Sequence, residues 1–130
     1  MRATVILAIA TATVVTHAAL ADVKRHEFIP VPLRGSWAPS ADECKSADKA
    51  KIVVSDKTYV SAEANCTVMW VSETAAARGS IYAAQMRCGK PDEKDRKTQS
   101  NVILAPKDAN QISIGPSFGN LKDYQRCPAN

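Results

Sequence analysis

Cys66-Thr67-Val68-Met69-Trp70-Val71 and Ile81-Tyr82-Ala83-Ala84-Gln85-Met86-Arg87-Cys88 are the two stretches whose reading decides the fold. Both are rich in residues that suit a pleated, half-buried surface, and the segment between them contains Arg78-Gly79-Ser80, which reads as a turn. Paired antiparallel with Cys66 opposite Cys88, they set Val68 against Met86 and Trp70 against Ala84. One face is then apolar throughout, and Thr67, Gln85 and Arg87 fall on the other. A slip of one residue destroys the match, because strand side chains alternate with a period of two. Directly opposed residues of a non-hydrogen-bonded pair approach the separation that a disulfide needs, so the register that sorts the faces also brings these two sulfurs together.

Working outward, the same signature recurs on both sides. Ile52-Val53-Val54-Ser55 and Thr58-Tyr59-Val60-Ser61 are β-rich runs separated by Asp56-Lys57, the length of a tight hairpin turn. Val102-Ile103-Leu104 and Ile112-Ser113-Ile114 form a further hairpin across residues 106–110, and Tyr124-Gln125-Arg126-Cys127 makes a short last strand. Leu33 to Ala38 can form a first strand. Ser40 then stands three residues before Glu43, a capping-box spacing that predicts one short helix over 40–49 carrying Cys44. Residues 89–100 hold no apolar side chain and seven charges, which predicts a surface loop. Residues 22–32 end in Ile29-Pro30-Val31-Pro32 and read as an extended arm or a first edge. The fold expected is mainly β: a small antiparallel barrel or strongly curved sheet of six to eight strands with one helix. The core expected is Trp37, Ile52, Val54, Val60, Val68, Trp70, Met86, Leu104, Ile112, Ile114 and Tyr124.

The 130-residue chain opens with Met1-Arg2 and an uncharged apolar run from Ala3 to Val15, and it reaches Ala19-Leu20-Ala21 just before charge resumes at Asp22. This is the pattern of a signal peptide over 1–21, cleaved after Ala21, with an apolar run too short to span a bilayer. The remainder, 22–130, is expected in the periplasm or the medium as a single β domain over 33–130 preceded by the arm over 22–32. Removing Arg2 leaves 16 basic and 13 acidic side chains scattered over that remainder. With aromatic residues at 5% of the chain, this does not describe a nucleic-acid surface. All four cysteines lie in the exported part, which predicts two disulfides. Spacings of 22, 22 and 39 residues with no CxxC pair argue against zinc. Three pairings are possible. The register argument favours Cys66 with Cys88, which leaves Cys44 with Cys127.

Gly35-Ser36-Trp37, taken with Arg126 in the last strand, resembles the Gly-x-Trp and terminal arginine pattern of the calycin barrels, a group that includes lipocalins and bacterial inhibitors of secreted metalloproteases. That resemblance implies an arginine laid over a tryptophan at one barrel end, here Arg126 on Trp37. A wider likeness covers Arg34 to Pro39 followed by Cys44, Tyr59 to Glu63 followed by Cys66, Val71 to Ala75, and Tyr124 to Cys127. On these residues the chain resembles a group of short exported proteins of rhizobia and related α-proteobacteria. The likeness implies a periplasmic or secreted setting and carries no residue roles.

The chemistry carried by the sequence is sparse. One histidine, His26, remains after residue 21, in the arm, where it reads as solvated, and a histidine-based triad is not expected. Glu63, Glu73, Tyr82 and Arg87 could serve an enzyme only in one cleft, and strand parity scatters them over both faces. No phosphate loop, HExxH helix or EF-hand spacing occurs. The expectation is a non-enzyme without cofactor or metal, a monomer with no membrane segment after cleavage. It would be a binding or inhibitory module for an unknown protein or small ligand, using a barrel mouth or the arm residues Lys24, Arg25, His26 and Phe28. The alternative is a structural or stress-related envelope protein without a defined ligand.

Overall fold

A computed structural model describes residues 14–15, 22–45, 50–93 and 96–129. The expected signal peptide, Val14 and Val15 apart, lies outside the described residues, and so does the end of the expected helix over 46–49. Nine strands follow in order: β1 (Val23–His26), β2 (Gly35–Ala38), β3 (Ile52–Val54), β4 (Thr58–Val60), β5 (Asn65–Ala76), β6 (Gly79–Gly89), β7 (Thr98–Pro106), β8 (Gln111–Gly115) and β9 (Lys122–Arg126). Strands β2 to β9 form an antiparallel meander, and the pairing of β9 with β2 closes it into an eight-stranded barrel. The extra strand, β1, lies on the edge of β5 past the point where β4 leaves it: β4 pairs with Asn65–Thr67 and β1 with Val71–Thr74. Closure removes the free edges that an open sheet of this size would expose.

Helix α1 (Ala41–Lys45) follows β2 and starts as the capping box requires: the Glu43 amide donates to Ser40 Oγ at 3.3 Å, and that hydroxyl donates to Glu43 Oε2 at 3.2 Å. The helix brings Cys44 to Cys127, with Cα atoms 5.4 Å apart, and Cys66 is bridged to Cys88 at 4.0 Å.

The central hairpin holds the expected register for three pairs, Cys66 with Cys88, Thr67 with Arg87 and Val68 with Met86, and then shifts by one residue. A bulge at Met69 sets Trp70 opposite Gln85 and Val71 opposite Ala84. Val71 therefore takes the fully buried place expected of Trp70, and the indole moves to the outer face, where the Arg25 guanidinium lies 4.1 Å from its ring centroid. A bulge adds one residue and increases local twist, which suits a strand that changes edge partner from β4 to β1 at this point.

Val60 is a second correction. The two-residue turn at Asp56-Lys57 pairs Val54 with Tyr59 and Val53 with Val60, so Tyr59 enters the core beside Ile52 and Val54, and Val60 stays exposed. The expected loop over 89–100 is narrower than the sequence implied. Thr98, Gln99 and Ser100 already pair in β7 with Cys88, Arg87 and Met86, because neighbouring strand edges satisfy their backbone groups despite the polar side chains.

The arm is not separate from the domain either. Its first half is β1, and its second half enters the barrel end: Ile29 and Leu33 are buried with Trp37, around a 3-10 turn at Val31–Leu33. No helix among the described residues is long and apolar enough to cross a membrane.

Candidate functional site

The two barrel ends are built differently. At one, the Trp37 indole N–H donates to the Leu33 carbonyl at 3.0 Å, and the Arg126 guanidinium lies 4.2 Å from the centre of the tryptophan ring. Arg126 donates from Nη1 to the Arg34 carbonyl and from Nη2 to the Pro32 carbonyl, each at 2.6 Å, and from Nε to the Ala109 carbonyl at 2.9 Å. One side chain thus ties the segment before β2 to the turn between β7 and β8. Gly35 makes room for it: its φ of +129° is unfavourable for other residues, and a Cβ there would stand 2.8 Å from Arg126 Nη1.

The other end is a mouth. It is framed by the β2–β3 connection, the Ser61–Ala64 turn and the start of the β8–β9 connection at Pro116, and it opens into a cavity of about 540 Å³. Ile52, Met86, Val102 and Ile114 give it an apolar floor beside the Cys66–Cys88 bridge, and Tyr59, Tyr124 and Glu63 give it polar groups. Gly115 lets the chain fold tightly back at this rim, since a Cβ there would collide with the Asn120 carbonyl.

Tyr59 carries the most information. It is only 9% exposed, yet its hydroxyl has no hydrogen-bond partner among the described residues. Burial pushes the phenol far above its usual range, with Tyr124 and Glu63 adding to the effect. Tyr124, half-buried on β9, is also raised, by burial first and then by Glu63 and Glu43. The ring is buried, whereas the hydroxyl, without a protein partner, reaches the accessible space of the cavity, where water or a ligand can satisfy it. The sequence reading missed Tyr59 as a site residue. The signal was present, since a two-residue turn at 56–57 forces Tyr59 onto the same face as Val54.

A second polar group lies on the projecting part of the β5–β6 hairpin. His26 Nε2 is 2.7 Å from Glu73 Oε2; Ser80 Oγ donates to Glu73 Oε1 at 2.7 Å, and the Tyr82 hydroxyl donates to the same oxygen at 3.3 Å. Hydrogen bonds from Ser80 and His26 hold the Glu73 carboxyl below its ordinary value. Burial, followed by the charge of Glu73, raises Tyr82. His26 is therefore engaged rather than solvated, and Glu73 and Tyr82 share a face after all, because the Met69 bulge reverses the parity beyond it. Serine and histidine both bond to the carboxylate, on different oxygens, so the order is not the serine–histidine–carboxylate relay of a nucleophile triad. Glu63 lies at the mouth, and Arg87 pairs with Thr67 on the outer face.

Of the arm residues expected to meet a partner, Lys24 pairs with Glu73 in the ladder, Arg25 covers Trp70, and His26 is bound to Glu73. Phe28, 46% exposed, lies under the Lys57 ammonium. The arm thus lies flat against β5 and does not project. No group of three or more potential metal ligands occurs among the described residues. Compared with known proteins, the chain has no significant match to a family model, to a curated protein or to a solved structure.

Proposed function

We propose that this protein is an exported, non-catalytic binding module that takes a small ligand into the mouth of its barrel. The observation that carries the reading is Tyr59: a side chain nine-tenths buried, lining a cavity of about 540 Å³, with a hydroxyl that no described residue satisfies. The cavity is of the size that encloses a small molecule, and its mixture of an apolar floor with a few convergent polar groups is the usual make-up of such sites. Two disulfides, and no membrane-crossing helix among the described residues, are compatible with a protein that works in the periplasm or the medium. Arg126 over Trp37 is the contact that a calycin likeness implies, and it supports reading the chain as a barrel of that kind.

A second reading, a structural or stress-related envelope protein without a ligand, draws on the arm, which lies flat on β5 and presents no free segment to a partner. An amide-resolved NMR titration with a panel of small amphipathic molecules separates the two. The binding reading expects saturable shifts gathered on Tyr59, Met86, Val102, Ile114 and Tyr124. Shifts absent from these residues for every compound would leave the structural reading standing.

A further inference from the structure

Resting on the reading of the mouth as a binding site, we infer that its ligand is a small organic cation, an ammonium group carried on an apolar body, with the charge held by Tyr59, Tyr124 and Glu63. Both tyrosines line the cavity, and the face of an aromatic ring is the negative part of its quadrupole, which attracts cations. Glu63 lines the same cavity and has no ion-pair partner among the described residues, so its charge is available to a ligand. An ammonium N–H can donate to the Tyr59 oxygen and to this carboxylate, filling the acceptor positions that the protein leaves open.

The local field points the same way. Carboxylates act on both phenols, Glu63 on Tyr59 and both Glu63 and Glu43 on Tyr124, and each raises the phenol. Lys51 and Lys122 also line the mouth, yet no lysine is among the groups that act on either phenol. The charged groups that act on the two phenols are thus carboxylates, which favours a cation beside these rings. An anion reaching Tyr59 would meet Glu63, and a purely apolar ligand would displace water from the Tyr59 hydroxyl and put no partner in its place. In the same cavity, Ile52, Val102, Ile114 and the polarizable Met86 offer contacts to an apolar body.

The test is a set of near-isosteric probes that differ in charge: benzylammonium, benzyltrimethylammonium, benzyl alcohol and phenylacetate, each titrated into the whole protein at low salt and followed at the mouth amides by NMR. The expected result is that benzylammonium binds at least tenfold more tightly than benzyl alcohol and phenylacetate. Benzyltrimethylammonium should fall between, since it keeps the charge and loses the N–H donors. Glu63→Gln, on an exposed turn where the fold does not depend on it, should reduce benzylammonium affinity about fivefold or more and leave benzyl alcohol unchanged. Phenylacetate binding as tightly as benzylammonium, or a cation preference untouched by Glu63→Gln, would overturn the cation inference while the mouth remained a binding site. Absence of mouth shifts with all four probes would overturn both.

Discussion

The sealed end and the open end of this barrel are made from the same eight strands, and what separates them is where the connecting chain goes. At the sealed end, residues 29–33 turn inward before β2 begins, so that Ile29 and Leu33 fill the space under Trp37 and Arg126 locks three carbonyls around it. The β2–β3 connection leaves the mouth through α1, and Cys44 is bridged to Cys127, which follows Arg126 on the sealed side of β9, so the helix is tied back along the barrel wall. Among the described residues, no comparable plug of large buried side chains enters from the mouth. Strand β9 shows the contrast within three residues, with Tyr124 lining the cavity and Arg126 closing the far end. A barrel end is thus sealed or left open by the segments outside the barrel as much as by its strands.

This contrast puts the largest stability effect at the sealed end. Trp37→Ala removes a side chain that is 1% exposed, together with the ring on which Arg126 rests, and should cost about 3–5 kcal/mol in chemical denaturation. A loss under 1 kcal/mol would mean that this end is not the packed anchor described. Next comes the bridge at the mouth. Cys66→Ser with Cys88→Ser opens a loop of 22 residues and should cost roughly 3 kcal/mol by loop entropy. The accompanying change in NMR shifts should be centred on the mouth and leave the Trp37 indole signal in place. An unchanged melting temperature would show that the ladder of β5 and β6 holds this register without its covalent link.

The sequence was most legible where one local rule controlled the outcome. The cysteine register, the capping box at Ser40 and the three hairpins followed from alternation and turn length. The failures each have a physical origin. Val60 reads as core when only its apolar character is weighed, whereas the turn at Asp56-Lys57 commits Tyr59 to that face. An unbroken period of two puts Trp70 in the core, and the single extra residue at Met69 moves it outward and brings Glu73 opposite Tyr82. A bulge has no strong local signature in this sequence, and the one here lies where β5 takes β1 as its edge partner, from pairs 45 to 51 residues apart in the chain. The burial of Ile29 and Leu33 was hidden for the same reason, since a Pro-rich lead-in looks the same whether it is free or folded into a barrel end. The mouth could not be read at all from linear order, because its lining comes from seven of the strands and the connections between them.

The smallest expected effect distinguishes the ends most finely, because it concerns a proton and not a packed volume. In the folded protein burial holds the Tyr59 phenol protonated well above its ordinary value of 10, whereas in the unfolded chain it ionises near that value. Above pH 10 the folded state therefore binds more protons than the unfolded state, and stability falls as pH rises, by up to about 1.4 kcal/mol per pH unit for one such group. Below pH 10 the phenol is protonated in both states, and the difference vanishes. Tyr59→Phe removes the titrating group and keeps the ring, so at pH 7 its stability should lie within about 1 kcal/mol of the parent, given that the hydroxyl has no protein partner to lose. Between pH 10 and 11 the variant should lose less stability than the parent when thermal unfolding is followed at each pH. No such alkaline protection is expected from Trp37→Phe at the sealed end, where no phenol is buried. If the two Tyr59 curves ran parallel through pH 11, burial would not be holding the phenol protonated, and the mouth would lose the low-polarity setting on which its reading as a binding site stands.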